Sequence, residues 1–162
     1  MRFLITLFGL VSIISAAQTK PDEAIQTPIK NLFLAMEKGD RALLRTAFHS
    51  DVILITVLEK EGKFTLQKET DLKGFATAIG TPHAEAYNEP IWDIKTEQDG
   101  NFAQVWAKYA FYLGNKFSHC GVDTFQLIKT EAGWKIFYLA DTRQRVGCAI
   151  PESISKKYAV TK

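Results

Sequence analysis

The sequence predicts a single α+β domain, with helices packed on one face of a curved, mostly antiparallel sheet. Three observations carry this reading. Apolar residues recur at helical spacing near the start of the chain, from Ile25 to Met36. From Tyr87 onward the pattern changes to long alternating runs separated by short polar or glycine-containing turns. No internal repeat, linker or compositional break marks a second domain.

Ile25, Ile29, Leu32, Phe33 and Met36 form one apolar stripe, and Pro28 either kinks this first helix or sits in its first turn. Gly39 stops it. Asp40 then caps a short second helix whose inner side carries Leu43, Leu44, Ala47 and Phe48. Val52–Leu58 and Lys63–Lys68 flank the turn Glu59-Lys60-Glu61-Gly62 and read as a hairpin. Thr70 or Asp71 caps a third helix, Leu72–Ile79, which ends at Gly80 and Pro82. Four strands follow: Tyr87–Glu97, Phe102–Leu113, Phe117–Lys129 and Trp134–Gln144. On the second of them Ala103, Val105, Ala107, Tyr109, Phe111 and Leu113 form an alternate apolar set, the mark of a buried face.

The start of the chain reads as a targeting segment. Arg2 precedes an uncharged apolar run of 12 residues, Phe3–Ile14, and Ser15-Ala16-Ala17 supplies small residues before Gln18. The run is too short to span the roughly 30 Å of a bilayer core, so it predicts a cleaved signal peptide and not a stable membrane insertion. No cysteine follows the small residues, which argues against a lipid anchor. The predicted organisation is a signal peptide at 1–17, a domain at 18–150 and a tail at 151–162, in a secreted or periplasmic protein. Removing 17 of the 162 residues leaves 145, and the loss of Arg2 takes the net charge from +2 to +1.

Composition narrows the function classes. With 46% hydrophobic and 23% charged residues the chain is globular, and its length suits one domain. A near-neutral charge, with no basic run longer than Lys156-Lys157, gives no footprint for nucleic acid. Nucleophile elbows, glycine-rich phosphate loops and metal-binding His–Glu or CxxC motifs are absent from the sequence, and no cofactor is implied. Cys120 and Cys148 allow one intramolecular pairing, which an oxidising compartment permits; two buried thiols are the alternative.

The order of elements, with Gly39-Asp40 and Phe48-His49-Ser50-Asp51 around the second helix, resembles the nuclear transport factor 2-like superfamily. So do Gly133-Trp134-Lys135-Ile136 and Leu139-Ala140-Asp141-Thr142-Arg143 near the end. Cys120-Gly121-Val122-Asp123, Asp141-Thr142-Arg143 and a cysteine at 148 are similar to an exported bacterial branch described as SnoaL-like or putative lumazine-binding. The resemblance covers about residues 22–150. It implies a cone-shaped barrel with a pocket between the concave sheet face and three helices. Fold alone does not assign function, because this fold hosts enzymes, adaptors and ligand binders alike.

A polar cluster at the end of the last hairpin is the best site candidate. A three-residue loop with Gly133 in the left-handed position would pair Thr130 with Trp134. Positions summing to 264 would then face each other, setting Asp123 against Asp141, with Gly121 leaving room for Arg143 and His119 one step further on. One residue more or less in the loop would put the two aspartates on opposite faces. Two carboxyls at cross-strand distance cannot both ionise cheaply, so either one holds a proton near neutral pH or Arg143 compensates the pair. A structural ion pair closing the open end of the sheet is the plainer alternative. Trp92, Trp106, Tyr109 and Tyr138 are candidates to line a cavity for a flat apolar ligand, or simply core. His49 follows a helix end and His83 lies in the Pro82 loop, where local capping and plain exposure suffice.

Three functional readings follow. The preferred one is an exported module whose cone binds a small apolar or aromatic molecule. The second is a cofactor-independent lyase or isomerase with Asp123 or Asp141 as general base and His119 or a tyrosine as partner. The third is a homodimeric interaction module that pairs through its sheet. A cavity that encloses the aspartates with a raised pKa favours the enzyme, one lined only by aromatics the binder, and a filled cone the interaction module.

Overall fold

The structure, a computed structural model, describes residues 23–158. The expected signal peptide at 1–17 and the end of the tail at 159–162 lie outside the described residues.

Helix α1 (Glu23–Lys38) buries Ile25, Ile29, Leu32 and Met36 along one stripe, as helical spacing requires, and carries Pro28 in its second turn. Gly39 (φ 66°) ends it. The Asp40 carboxylate accepts hydrogen bonds from the backbone N–H of Ala42 and of Leu43, both at 2.9 Å, and so starts α2 (Arg41–Ala47). Phe48, expected on this helix, instead opens β1 (Phe48–Lys60), which pairs with β2 (Lys63–Glu69). Helix α3 (Lys73–Gly80) starts one residue later than expected, with Asp71 accepting from the Lys73 N–H at 2.7 Å.

The strand expected over Tyr87–Glu97 is in fact two. Pro90 cannot donate to a ladder, so pairing breaks there into β3 (Tyr87–Asn88) and β4 (Ile91–Asp99). The long strands β5 (Phe102–Leu113), β6 (Lys116–Thr130) and β7 (Gly133–Thr142) complete the sheet. Its order is β2-β1-β7-β6-β5-β3, with β4 also on β5. β1 and β7 run parallel and every other pair antiparallel. The sheet curves but does not close into the expected barrel, since β2 and β3/β4 remain edges. Alternation sends Ala103, Val105, Ala107 and Tyr109 of β5 to the concave face, where each is at most 1% exposed. Ala103 and Val105 lie with Phe125, Leu127 and Ile136 under α1 and α2 in the main core.

The tail is also tied down. Cys120 and Cys148 form a disulfide, with Cα atoms 5.9 Å apart. Helix α4 (Glu152–Lys157) follows, and Tyr158 stacks on Tyr112 at 4.4 Å between ring centroids. These residues join Ala110 and Cys120 in a second, smaller core.

Candidate functional site

The aspartates do face each other, by a route the hairpin sequence does not reveal. The β6–β7 turn is a two-residue loop that pairs Thr130 with Gly133 and Lys129 with Trp134, one residue away from the expected register. Leu127 therefore faces Ile136, both fully buried, and not Phe137. A bulge at Phe137 then adds one residue to β7, so that Gln126 pairs with Tyr138 and Asp123 with Asp141. The two departures cancel at the site, although Trp134 and Ile136 face inward near the turn instead of outward.

Gly121 is needed for a different contact from the one expected. A Cβ there would lie 1.8 Å from the Thr142 carbonyl oxygen, so it is the backbone of β7, not Arg143, that crosses closely. The Thr142 hydroxyl accepts from the Val122 N–H at 3.1 Å, and Cys120 and Gln144 exchange backbone hydrogen bonds just beyond.

Between this sheet end and the helices lies a cavity of about 260 Å³. Leu32, Phe33 and Met36 of α1 and Leu54, Phe111 and Leu139 of the sheet form its apolar walls, and Glu89, Tyr109, His119, Asp123, Asp141 and Arg143 its polar side. Of the residues singled out from sequence, Asp123, Asp141, Arg143, His119 and Tyr109 meet here. Trp92, Trp106 and Tyr138 do not. Trp92 packs against the small core around Tyr112, Trp106 stands 47% exposed, and Tyr138 pairs with Gln126, whose β5 partner is Gln104 on the outward-facing set. Even β5 residues point outward where odd ones point in, which is why an aromatic-rich strand supplies so few aromatics to the cavity. His49 accepts from the Asp51 N–H at 3.1 Å, a local turn, and His83 stacks on Tyr87 behind the cavity wall.

The charges are arranged in two sets. Asp141 is compensated: Arg143 Nε donates to its Oδ2 at 2.6 Å and the Thr56 hydroxyl to its Oδ1 at 2.7 Å, across the parallel β1–β7 pair. The Tyr109 hydroxyl donates its single proton to the Thr142 carbonyl at 2.8 Å and lies 3.4 Å from Asp141 Oδ2. Burial, then the neighbouring Asp141 carboxylate, pushes that phenol upward, so it stays protonated.

Asp123 is 3% exposed, and its Oδ2 has no hydrogen-bond donor. A bare carboxylate could not be held this way at acceptable cost. Its neighbour is Glu89, whose carboxyl hydrogen-bonds with it. Burial raises Asp123 well above the usual carboxylate range, with Glu89 and then Asp141 adding to the effect. Burial and the Asp141 charge push Glu89 up to about 8. The pair shares a proton at neutral pH. His119 is drawn the other way: desolvation first, then Arg143, lowers it to about 4, so the ring is neutral. Its Nδ1 lies 3.0 Å from the Ser118 hydroxyl, and the ring packs edge-on to Tyr109 and tilted against Phe111.

Glu89 is the residue that sequence reasoning missed. Read as mid-strand, it is one charged residue among several. The signal was Pro90, which forces its predecessor out of regular pairing and separates β3 from β4. Among the described residues no group of His, Cys, Asp and Glu is arranged to hold a metal ion, and no helix is long and apolar enough to cross a membrane.

A family profile described as putative lumazine-binding matches residues 20–138. No curated protein matches. Solved structures do. An NTF2-like protein of unknown function from Shewanella baltica is 20% identical, with 76% of this chain and 93% of that chain covered and a TM-score of 0.57. A putative ketosteroid isomerase from Shewanella frigidimarina is also 20% identical, covering 74% and 95% with a TM-score of 0.54. The CaMKII hub of S. rosetta is 18% identical, covering 79% and 100% with a TM-score of 0.59. At these identities the likeness is one of fold.

Proposed function

We propose, from the premise that this chain belongs to the putative lumazine-binding family, that it is an exported domain whose cone binds a small, flat molecule bearing a hydrogen-bond acceptor. One observation carries the reading: an apolar cavity of about 260 Å³ whose polar wall holds a protonated carboxyl pair, Glu89 and Asp123. Ligand pockets of drug-sized molecules run to about 300–1,000 Å³, so this one suits a ring system of one or two rings. A neutral acid in such a wall donates to a carbonyl or ring nitrogen, as a carboxylate would not. Asp141 and Arg143 neutralise each other and hold that end of the sheet. The Cys120–Cys148 disulfide and the leader-like start support export.

Lumazine, a flat bicyclic dione, is the first molecule to test. Titration at pH 7 should give saturable binding to the natural protein, and Asp123→Asn should fold but bind about tenfold more weakly, having lost the shared proton. Native mass spectrometry of protein taken from the exported fraction identifies the retained ligand if lumazine is not it. An Asp123→Asn protein that does not fold would make the cluster structural.

A cavity that encloses Asp123 and Asp141, with Asp123 raised, is the outcome expected of a lyase or isomerase. It supports that second reading, in which the Glu89–Asp123 pair moves a proton, because a group titrating near neutrality is suited to acid–base work. Solvent deuterium entering the retained ligand, and failing to enter with Glu89→Gln, separates this from simple binding. The outward sheet face further supports pairing of two copies. Phe102, Trp106 and Ile128 share it and are 41%, 47% and 39% exposed.

A further inference from the structure

A second cavity, of about 370 Å³, lies on the other side of the wall formed by Phe33 and Glu89, between α1, β4 and the end of α4. It is a groove more than a chamber. Along α1 it runs from Gln26 to Glu37, roughly 16 Å at the helical rise. Its floor is apolar, built from Ile29, Phe33, Ile91 and Val105, and its lips leave Leu34 and Ile94 38% and 37% exposed. Two cations line it, Lys30 from α1 and Lys157 from α4. Lys157 Nζ sits 5.2 Å over the ring of Tyr158, another lining residue, and neither lysine is in an ion pair among the described residues. The acids on its lining are Glu37, seven residues along α1 from Lys30, and the buried Glu89, which shares a proton with Asp123.

We infer that this groove is a second binding site, for a free single-chain amphiphile with an anionic head such as a medium-length fatty carboxylate. An apolar floor that extends roughly 16 Å along α1 fits one extended chain better than a ring, and two lysines without ion-pair partners on the lining supply the counter-charge for a head group that stays in water. The groove meets the inner cavity only at Phe33 and Glu89, and its two lysines have no counterpart on the inner lining, where Arg143 is already paired with Asp141. The Cys120–Cys148 disulfide and the Tyr112–Tyr158 stack anchor the tail that brings Lys157 and Tyr158 to the groove.

Decanoate below its micellar concentration is the probe, added to isotopically labelled protein with the disulfide intact. Backbone amide shifts should move at Leu34, Ile94 and Lys157, which line only the groove, and stay fixed at Leu54 and Leu139, which line only the inner cavity. Lys30→Glu combined with Lys157→Glu should weaken binding by about tenfold or more while leaving the folded spectrum unchanged. 1-Decanol, with the same chain and no charge, should bind the natural protein more weakly than decanoate and be indifferent to the lysine reversals. Shifts centred on Leu54 and Leu139, or an affinity for decanoate unmoved by reversing both lysines, would overturn the proposal. Binding to anionic phospholipid vesicles without binding to decanoate would overturn it too, in favour of a membrane-surface patch. None of these outcomes depends on whether lumazine binds.

Discussion

Glu89 and Asp123 matter because two buried carboxyls with one proton between them behave unlike either alone. Folding moves Glu89 from 4.5 up to about 8, and raises Asp123 as well. The sign follows. Between pH 4.5 and 8 the unfolded chain has released a proton that the folded protein keeps, so the folded state binds more protons and stability falls as pH rises through that window. Each retained proton contributes a slope of up to about 1.4 kcal/mol per pH unit. Below the window the contribution is constant, and above it both states are ionised. Glu89→Gln, which keeps the shape and a donor but cannot ionise, should flatten the fall. Thermal melts of both proteins at pH 5 and pH 8 check this: the natural protein should lose more on going to pH 8 than the variant. Equal losses would show that Glu89 is not held protonated.

The strands explain how far the site can be read from the chain. Asp123, Asp141, Arg143, His119 and Tyr109 were legible because period-two alternation assigns faces whenever the register is right. The register near the turn was not legible. A two-residue loop in place of three moves every pair by one, and the Phe137 bulge moves them back before the aspartates; neither leaves a distinctive residue in the sequence. Glu89 was hidden because reading Tyr87–Glu97 as one strand ignored the cost of Pro90 within it. The outward turn of Trp106 and Tyr138 comes from the same alternation that points Tyr109 inward, so aromatic content alone misleads. Gly121 was singled out, but the atom it makes room for is the Thr142 carbonyl oxygen. Gly121→Ala should therefore force β6 and β7 apart at the site and cost about 1–3 kcal/mol, as overpacking does. Urea denaturation measures it, and an unchanged midpoint would mean the two strands separate there freely.

Taken as one object, the molecule is a curved, open sheet with helices on its concave side and a disulfide-anchored tail reaching round the β3/β4 edge. Openness leaves two consequences. The concave side keeps a cavity because α1 and α3 cover the sheet without filling its polar end. The outward face keeps Phe102, Trp106 and Ile128 in water unless a partner covers them. Sedimentation at micromolar concentration should show a dimer, and Trp106→Glu, which removes apolar area and adds like charges across a two-fold contact, should give a folded monomer. A natural protein that sediments as a monomer would remove the pairing from the account and leave the cavity untouched.

Ligand recognition in this cavity rests on a carboxyl pair in its wall that holds a proton at neutral pH. Carbon-13 labelling of the Asp and Glu carboxyls, with shifts of Glu89 and Asp123 followed from pH 3 to 10, tests it directly. The two should titrate together, Glu89 near pH 8 and Asp123 well above the usual carboxylate range. Two independent titrations complete by pH 5 would contradict it, and with it the donor on which ligand recognition in this cavity rests.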